Sequence, residues 1–234
     1  MIRVAAVGDL HVGRSEPPVE LLKAAEEADL LLLAGDLTNC GDAGEARSLA
    51  ACLADVEVPV VAVLGNHDHH AETPEEVVAE LRGAGVVVLD GEACHVALDG
   101  TVVGVAGTKG FACGLPGTCA TAFGEPEMKR FVEVGRLEAE RFGAALAELD
   151  APHRIGLLHY SPIGATVAGE PPEIHAFLAD HRLAEQADEH GADLLLHGHA
   201  HSGREHGETP GGIPVRNVAR PVIRAPYRIY TLGA

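Results

Sequence analysis

The amino-acid sequence predicts an α/β chain with a mixed sheet, or with two stacked sheets and helices outside them. Three observations carry that expectation. Short apolar runs recur along the 234 residues, each followed at once by Gly, Asp, Asn or His. Helical patterns lie between most of them, as a βαβ alternation requires, and two regions break the alternation with strand patterns that have no helix between them. Runs that are apolar at every position read as strands buried on both faces. Their polar tails then fall at strand C-terminal ends, where open α/β sheets place ligand sites.

The apolar runs are Ile2 to Val7, Leu30 to Ala34, Val58 to Leu64, Ile155 to Leu158 and Asp193 to Leu196. Between them, Ser15-x-Pro17-Pro18 opens a helix expected to reach Ala28, and Asp42 to Ala54 forms the next. Thr73-Pro74-Glu75-Glu76 reads as a capping box with proline at the first helical position, leading a helix that ends near Gly83 to Gly85. Glu125 to Leu149 reads as one long amphipathic helix, with Phe131, Val134, Leu137, Ala145 and Leu149 near a single stripe that Arg141 interrupts. A last helix spans about Leu178 to His190. The exceptions to the alternation are Cys94 to Val103, where Asp99-Gly100 between β-prone runs signals an antiparallel hairpin, and the C-terminal strands Ile213 to Val218 and Tyr227 to Leu232. Gly107 to Gly124, rich in Gly, Thr and Cys, reads as a surface loop. No linker divides the chain, so residues 1–234 are expected to form one domain.

Apolar residues make up 47% and charged residues 22%, as in ordinary globular domains, but Trp is absent and aromatics are 3%, so aliphatic side chains must build the core. Asp and Glu number 35 against 17 Lys and Arg, a net charge of −18. That charge repels phosphate backbones and anionic lipid, so neither non-specific nucleic acid nor a membrane is an expected partner. No apolar run is long enough to span a bilayer and no signal-peptide pattern is present, which makes the cytoplasm the expected compartment. The five cysteines, Cys40, Cys52, Cys94, Cys113 and Cys119, lack a C-x-x-C pair and argue against a disulfide framework. Nothing in the sequence sets an oligomeric state.

Histidine is the outlier, with 14 residues crowded at 67–70 and 197–201. The strand tails supply Asp9, His11, Asp36, Asn66, His159, His199 and His201, enough donors for two divalent ions if one carboxylate bridges. The set is too rich in nitrogen for Ca²⁺ or Mg²⁺ and lacks the thiolates of structural zinc, which leaves Mn, Fe, Zn, Co or Ni. His197 is either a support for the neighbouring ligands or a strand-end packing residue. His69, His70, His95, His153, His175, His181, His190 and His206 read as solvent-facing.

In that order, Asp9-x-His11, Gly35-Asp36, Gly65-Asn66-His67-Asp68, a lone His159 and Gly198-His199-Ala200-His201 resemble the five motifs of the calcineurin-like metallophosphoesterase superfamily. The resemblance covers residues 9 to 201. It implies a four-layer αββα sandwich of two mixed β-sheets flanked by helices, with a dinuclear metal site between the loop ends of the sheets. It further implies that Asp9, His11 and His201 hold one ion, that Asn66, His159 and His199 hold the other, and that Asp36 bridges them. The activity so implied is that of a metal-dependent phosphoric ester hydrolase, in which a metal-bridging hydroxide attacks phosphorus in line. His67 would protonate the leaving oxygen or stabilise the charge on the phosphorane, and Asp68 would orient its ring.

Asn39, Tyr160, Thr108 and Lys109 flank these loops and are candidate substrate contacts. The second motif, Gly35 to Gly41, lacks the Asp-Arg-Gly of the superfamily's protein Ser/Thr phosphatases, and the third ends in Asp68 where those have Glu. The pattern is more similar to the bacterial cyclic-nucleotide phosphodiesterase type branch. The expected substrate is therefore a small-molecule phosphodiester or a broader class of small phosphoesters. Alternatives are a phosphomonoesterase, a nuclease of the same superfamily, or a non-catalytic metal-binding scaffold. For the nuclease, an acidic chain without Trp offers no obvious basic groove or stacking platform.

Overall fold

The computed structural model describes residues 1–98 and 100–233, and of Ala25 the backbone only. The strands are β1 (Ile2–Val7), β2 (Leu30–Ala34), β3 (Val60–Val63), β4 (Val87–Leu89), β5 (Glu92–Leu98), β6 (Thr101–Thr108), β7 (His153–Leu158), β8 (Leu194–His197), β9 (His206–Glu208), β10 (Pro214–Asn217) and β11 (Arg228–Leu232). The helices are α1 (Ala24–Glu27), α2 (Ala43–Leu53), α3 (Pro74–Gly83), α4 (Pro126–Ala147), α5 (Gly164–Val167), α6 (His175–Leu178), α7 (His181–His190) and α8 (Arg220–Ile223). One sheet has the order β11-β1-β2-β3-β4 and the other β5-β6-β7-β8-β10-β9. Both are mixed: β1 to β4 run parallel with β11 antiparallel, and β6, β7, β8 and β10 run parallel between antiparallel edges β5 and β9.

Strand alternation explains why the central runs are apolar throughout. In β2, Leu30, Leu32 and Ala34 face the other sheet, while Leu31 and Leu33 face the layer of α2 and α3. In β8, Leu194 and Leu196 enter the core between the sheets, and Leu195 packs with Phe142 and Leu146 of α4 and Leu183 of α7. Two sheets face to face with helices outside give the four layers.

The expected elements differ from the observed ones at their ends. Asp42 caps α2, its carboxylate accepting from the amides of Gly44 and Glu45, but Thr73 before α3 makes no side-chain cap bond, so the expected box is not formed. The helix expected after Ser15 shrinks to a 3₁₀ turn at Val19–Lys23 followed by the single turn α1, because Pro17 and Pro18 hold the preceding chain extended. The last long helix starts at His181 and not at Leu178. Ala179 and Asp180 are extended, bridging Ser161 and Gly114, and Asp180 caps α7.

The stripe of α4 forms only in part: Ala145 and Leu149 are buried and Phe131 packs against the same core, as expected. Val134 and Leu137 are exposed, whereas Gly135, Ala139, Phe142 and Leu146 are buried at helical spacing. Small residues let α4 approach α7, and this outweighs the larger apolar side chains in choosing the buried face. Residues 107–124 are not wholly a surface loop: β6 runs to Thr108, Ala112 and Cys113 are buried, and the amides of Cys113 and Gly114 donate to the Ala179 carbonyl at 3.1 and 2.7 Å. The hairpin forms as expected, Leu98 pairing Thr101 across a two-residue turn with Gly100 at φ +81°; Asp99 lies outside the described residues.

Candidate metal centre

All seven sequence-predicted ligands gather where the parallel strands of the two sheets end. Asp9 and His11 follow β1, Asp36 follows β2, Asn66 follows β3, His159 follows β7, and His199 and His201 follow β8. The alternation that sends Ala34 and Leu157 inward brings Asp36 and His159 to the cleft between the sheets. His159 ties the sheets directly, its Nδ1–H donating to the Ala34 carbonyl at 2.9 Å.

The backbone is strained where these residues sit. Among the described residues six non-glycines have positive φ, and four of them are predicted ligands: Asp9 (60°), His11 (46°), Asp36 (49°) and His199 (70°). A left-handed conformation costs an L-residue about 1–2 kcal/mol, so such clustering marks a site whose geometry is imposed by its surroundings. The neighbouring glycines are sterically required. A Cβ on Gly65 would lie 2.1 Å from Asp36 Oδ1, and one on Gly198 would lie 2.3 Å from Asp9 Oδ2.

Three trios of donor atoms form among the described residues: Asp9 with His11 and His201, Asp36 with His159 and His199, and His11 with Asp36 and His67. His201 Nε2 donates to Asp9 Oδ1 at 2.7 Å, and the His199 amide donates to the same carboxylate at 3.0–3.1 Å. His159 Nε2 lies 3.3 Å from Asp36 Oδ1 and 3.0 Å from Asn66 Oδ1. Backbone carbonyls fix the tautomers, since a carbonyl can only accept. Ala34 takes the proton of His159 Nδ1, leaving the Nε2 lone pair toward two oxygens. Phe177 takes that of His199 Nε2 at 3.2 Å, leaving Nδ1 free.

These contacts fit cations. A lone pair facing two acceptor oxygens is repulsive unless a positive charge lies among them. Both ring nitrogens of His11 are buried without a hydrogen-bond partner, a costly state that coordination would relieve. Burial pushes His11 down to about 4, pushes His199 to about 3 with help from neighbouring His159, and holds His159 well below the usual imidazole range. The rings are thus neutral and their lone pairs available. Burial, reinforced by Asp36, raises Asp9 to about 6, as expected for carboxylates crowded together without counter-charge.

His67 stands at the edge of the cluster, with Nε2 4.0 Å from Asp36 Oδ2 and its ring centroid 4.5 Å from that of His11. Its Nδ1–H donates to the Asn39 carbonyl at 2.7 Å. Asp68 therefore does not orient the His67 ring, contrary to the sequence expectation. The Asp68 carboxylate is fully buried and accepts from Leu37 N, Thr38 N, Thr38 Oγ1 and Gly65 N at 3.2, 2.8, 2.6 and 2.8 Å. It clamps the loop after β2 to the loop after β3, and burial followed by Asp36 raises it to about 6.

The four candidate substrate contacts separate. Thr108 is buried and its hydroxyl donates to Glu138 Oε2 at 2.6 Å, which removes it from the substrate side. Asn39 acts on His67 through its carbonyl, and its side chain donates to Cys40 Sγ at 3.1 Å. The Tyr160 ring lies 4.4 Å from that of His199. Lys109 Nζ donates to the Gly110 carbonyl at 2.9 Å and sits 5.5 Å from the Tyr160 ring. His197 faces away from the cluster, with Nδ1 on the Gly198 carbonyl and Nε2 on Thr166 Oγ1. The parts that sequence reading missed are the carbonyls of Ala34, Asn39 and Phe177, which any residue type could supply and no motif records.

Fold and site together define an αββα protein with buried carboxylates and imidazoles able to hold metal. The family model for calcineurin-like phosphoesterases matches residues 2–203, and the chain belongs to that family. It is a metallophosphoesterase, a hydrolase. Among solved structures it is similar to the phosphopantetheinyl hydrolase PptH of Mycobacterium tuberculosis, with 16% identity, 98% of this chain and 96% of that chain covered, and a TM-score of 0.72. It is also similar to TT1561 of Thermus thermophilus (16%, 92% and 88%, 0.62) and to a putative 5'-nucleotidase of Staphylococcus aureus (14%, 92% and 48%, 0.56). No curated protein matches at a significant level. No helix among the described residues is long and apolar enough to cross a membrane.

Proposed function

We propose that the protein hydrolyses phosphodiesters of small molecules using two divalent transition-metal ions (Mn, Fe, Zn, Co or Ni). Asp9, His11 and His201 would hold one ion and Asn66, His159 and His199 the other, with Asp36 available to both. The observation that carries this reading is the pair of donor trios around Asp9 and Asp36, with the carbonyls of Ala34 and Phe177 turning the His159 and His199 lone pairs away from themselves and both ring nitrogens of His11 left without a partner. Bound there, the ions would activate a water and neutralise charge on the attacking and leaving oxygens.

The chain's own groups do the rest. The Asn39 carbonyl holds His67 so that Nε2 faces the cluster, and in the imidazolium form that nitrogen carries the proton for the leaving oxygen. Tyr160, buried beside His159 and His199, excludes water from that side. Lys109 Nζ has protons to spare for a phosphoryl oxygen beyond its bond to Gly110.

Preference for a diester follows from charge. A phosphomonoester carries close to two negative charges at neutral pH and calls for an arginine fork. The second motif, Gly35 to Gly41, contains no arginine. The core shared by both sheets supports a single domain over residues 1–234, and five free cysteines support a reducing compartment, the cytoplasm.

Metal analysis with hydrolysis of bis(p-nitrophenyl) phosphate and p-nitrophenyl phosphate, with Mn²⁺ or chelator and on Asp36→Ala, tests the proposal. Two metals per chain with chelator-sensitive diester cleavage, lost in the variant, is the expected result. Faster monoester cleavage would replace the diester reading with a phosphatase, and metal without turnover would leave a scaffold.

A further inference from the structure

Beside the metal centre lies a cavity of about 640 Å³ between α3, β4 and the end of α4, a size suited to a small organic ligand. Its lining includes chain neighbours of the site residues. Leu64 lies two residues before Asn66, and His69 closes the 3₁₀ turn that His67 opens. The Lys109 carbonyl accepts the amides of His159 and Tyr160 at 3.2 and 3.1 Å. One part of the lining is aliphatic, chiefly Leu64, Val78, Val88 and Leu89, the rest is polar or charged and includes Glu75, Asp90 and Glu92, and among the described residues no Phe, Tyr or Trp lines it. Of the arginines at its edge, Arg141 pairs with Asp90 at 3.3 Å and with Glu138, and Arg82 donates one N–H to the Val88 carbonyl at 2.9 Å.

We propose that this cavity takes the organic arm of the phosphoester, and that the arm is an aliphatic chain and not a nucleoside. The inference rests on the phosphoesterase reading for its reaction but not for its binding. A nucleobase is held chiefly by stacking on aromatic faces, and among the described lining residues the imidazole of His69 is the one aromatic ring available. Methylene groups, by contrast, gain from each contact with its walls. Lys109, at the junction, is the charged group available to an oxygen of the phosphoryl end.

Calorimetric titration of the purified protein with methylphosphonate, hexylphosphonate and thymidine 5'-monophosphate tests this, with Ala79→Trp as the variant. Ala79 is exposed, lines the cavity and is none of the residues of the metal centre. Hexylphosphonate should bind roughly tenfold or more tightly than methylphosphonate, and more tightly than the nucleotide. The variant should bring hexylphosphonate to the methylphosphonate level and leave methylphosphonate within about twofold. Equal binding of the two phosphonates, tighter binding of the nucleotide, or a hexyl preference that survives Ala79→Trp overturns the proposal. The first two comparisons need only the native chain. Turnover of p-nitrophenyl diesters carrying the same three arms separates the two readings. Hexyl-selective binding with no turnover defeats the reaction and not the cavity, whereas turnover without arm preference defeats the cavity alone.

Discussion

At the scale of single residues, two adjacent side chains divide the work. His67 is held by a backbone carbonyl and faces the cluster, so His67→Ala should lower turnover about 10²- to 10⁴-fold while metal content stays unchanged. Asp68 is held by four donors from three residues and faces none of the reacting groups. Asp68→Asn replaces an acceptor oxygen by an amide that points its hydrogens at donors, and should cost about 3 kcal/mol of stability, read from denaturant unfolding. Unchanged stability with turnover lost as deeply as in the His67 variant would return Asp68 to the role of orienting that ring.

At the scale of elements, α4 shows how packing chooses a face. Phe142 is fully buried against Leu195 and Leu183, and its replacement by Ala should cost about 3–5 kcal/mol. Val134→Ala and Leu137→Ala, on the exposed side, should each stay within about 0.5 kcal/mol. Chemical denaturation of the three variants checks the rotation of the helix, and a large loss at Leu137 would contradict it. The strand ends act as the complementary device. Parallel strands from two sheets deliver their loops to one cleft, and glycine at the turns lets backbone press against Asp9 and Asp36.

At the scale of the whole molecule, metal and fold are coupled through charge. Without ions, Asp9 has a pKa of about 6 in the folded chain against 3.8 in the unfolded one. The folded state then binds more protons between those values, so its contribution to stability is greatest at low pH and is lost as pH rises through 6. Divalent ions displace that proton and bind more tightly as pH rises through the same window. The melting-temperature loss caused by a chelator should therefore be larger at about pH 7.5 than at about pH 5. An equal loss at the two pH values would show that Asp9 does not sense the ion.

What the sequence determined by itself is the set of residues that meet and the class of chemistry they serve. Apolar runs ending in Asp, Asn and His encode strands with their donors at one end, and this pattern is local, so it is legible without the fold. The mixed sheets were visible for the same reason, in Asp99-Gly100 and in the helix-free C-terminus. Tertiary structure alone decided the buried face of α4, the start of α7 beside Gly114, the partner of Asp68 and the loss of Thr108 to Glu138. Each of these depends on atoms distant in the chain, and several depend on backbone carbonyls, which every residue carries and no residue type announces.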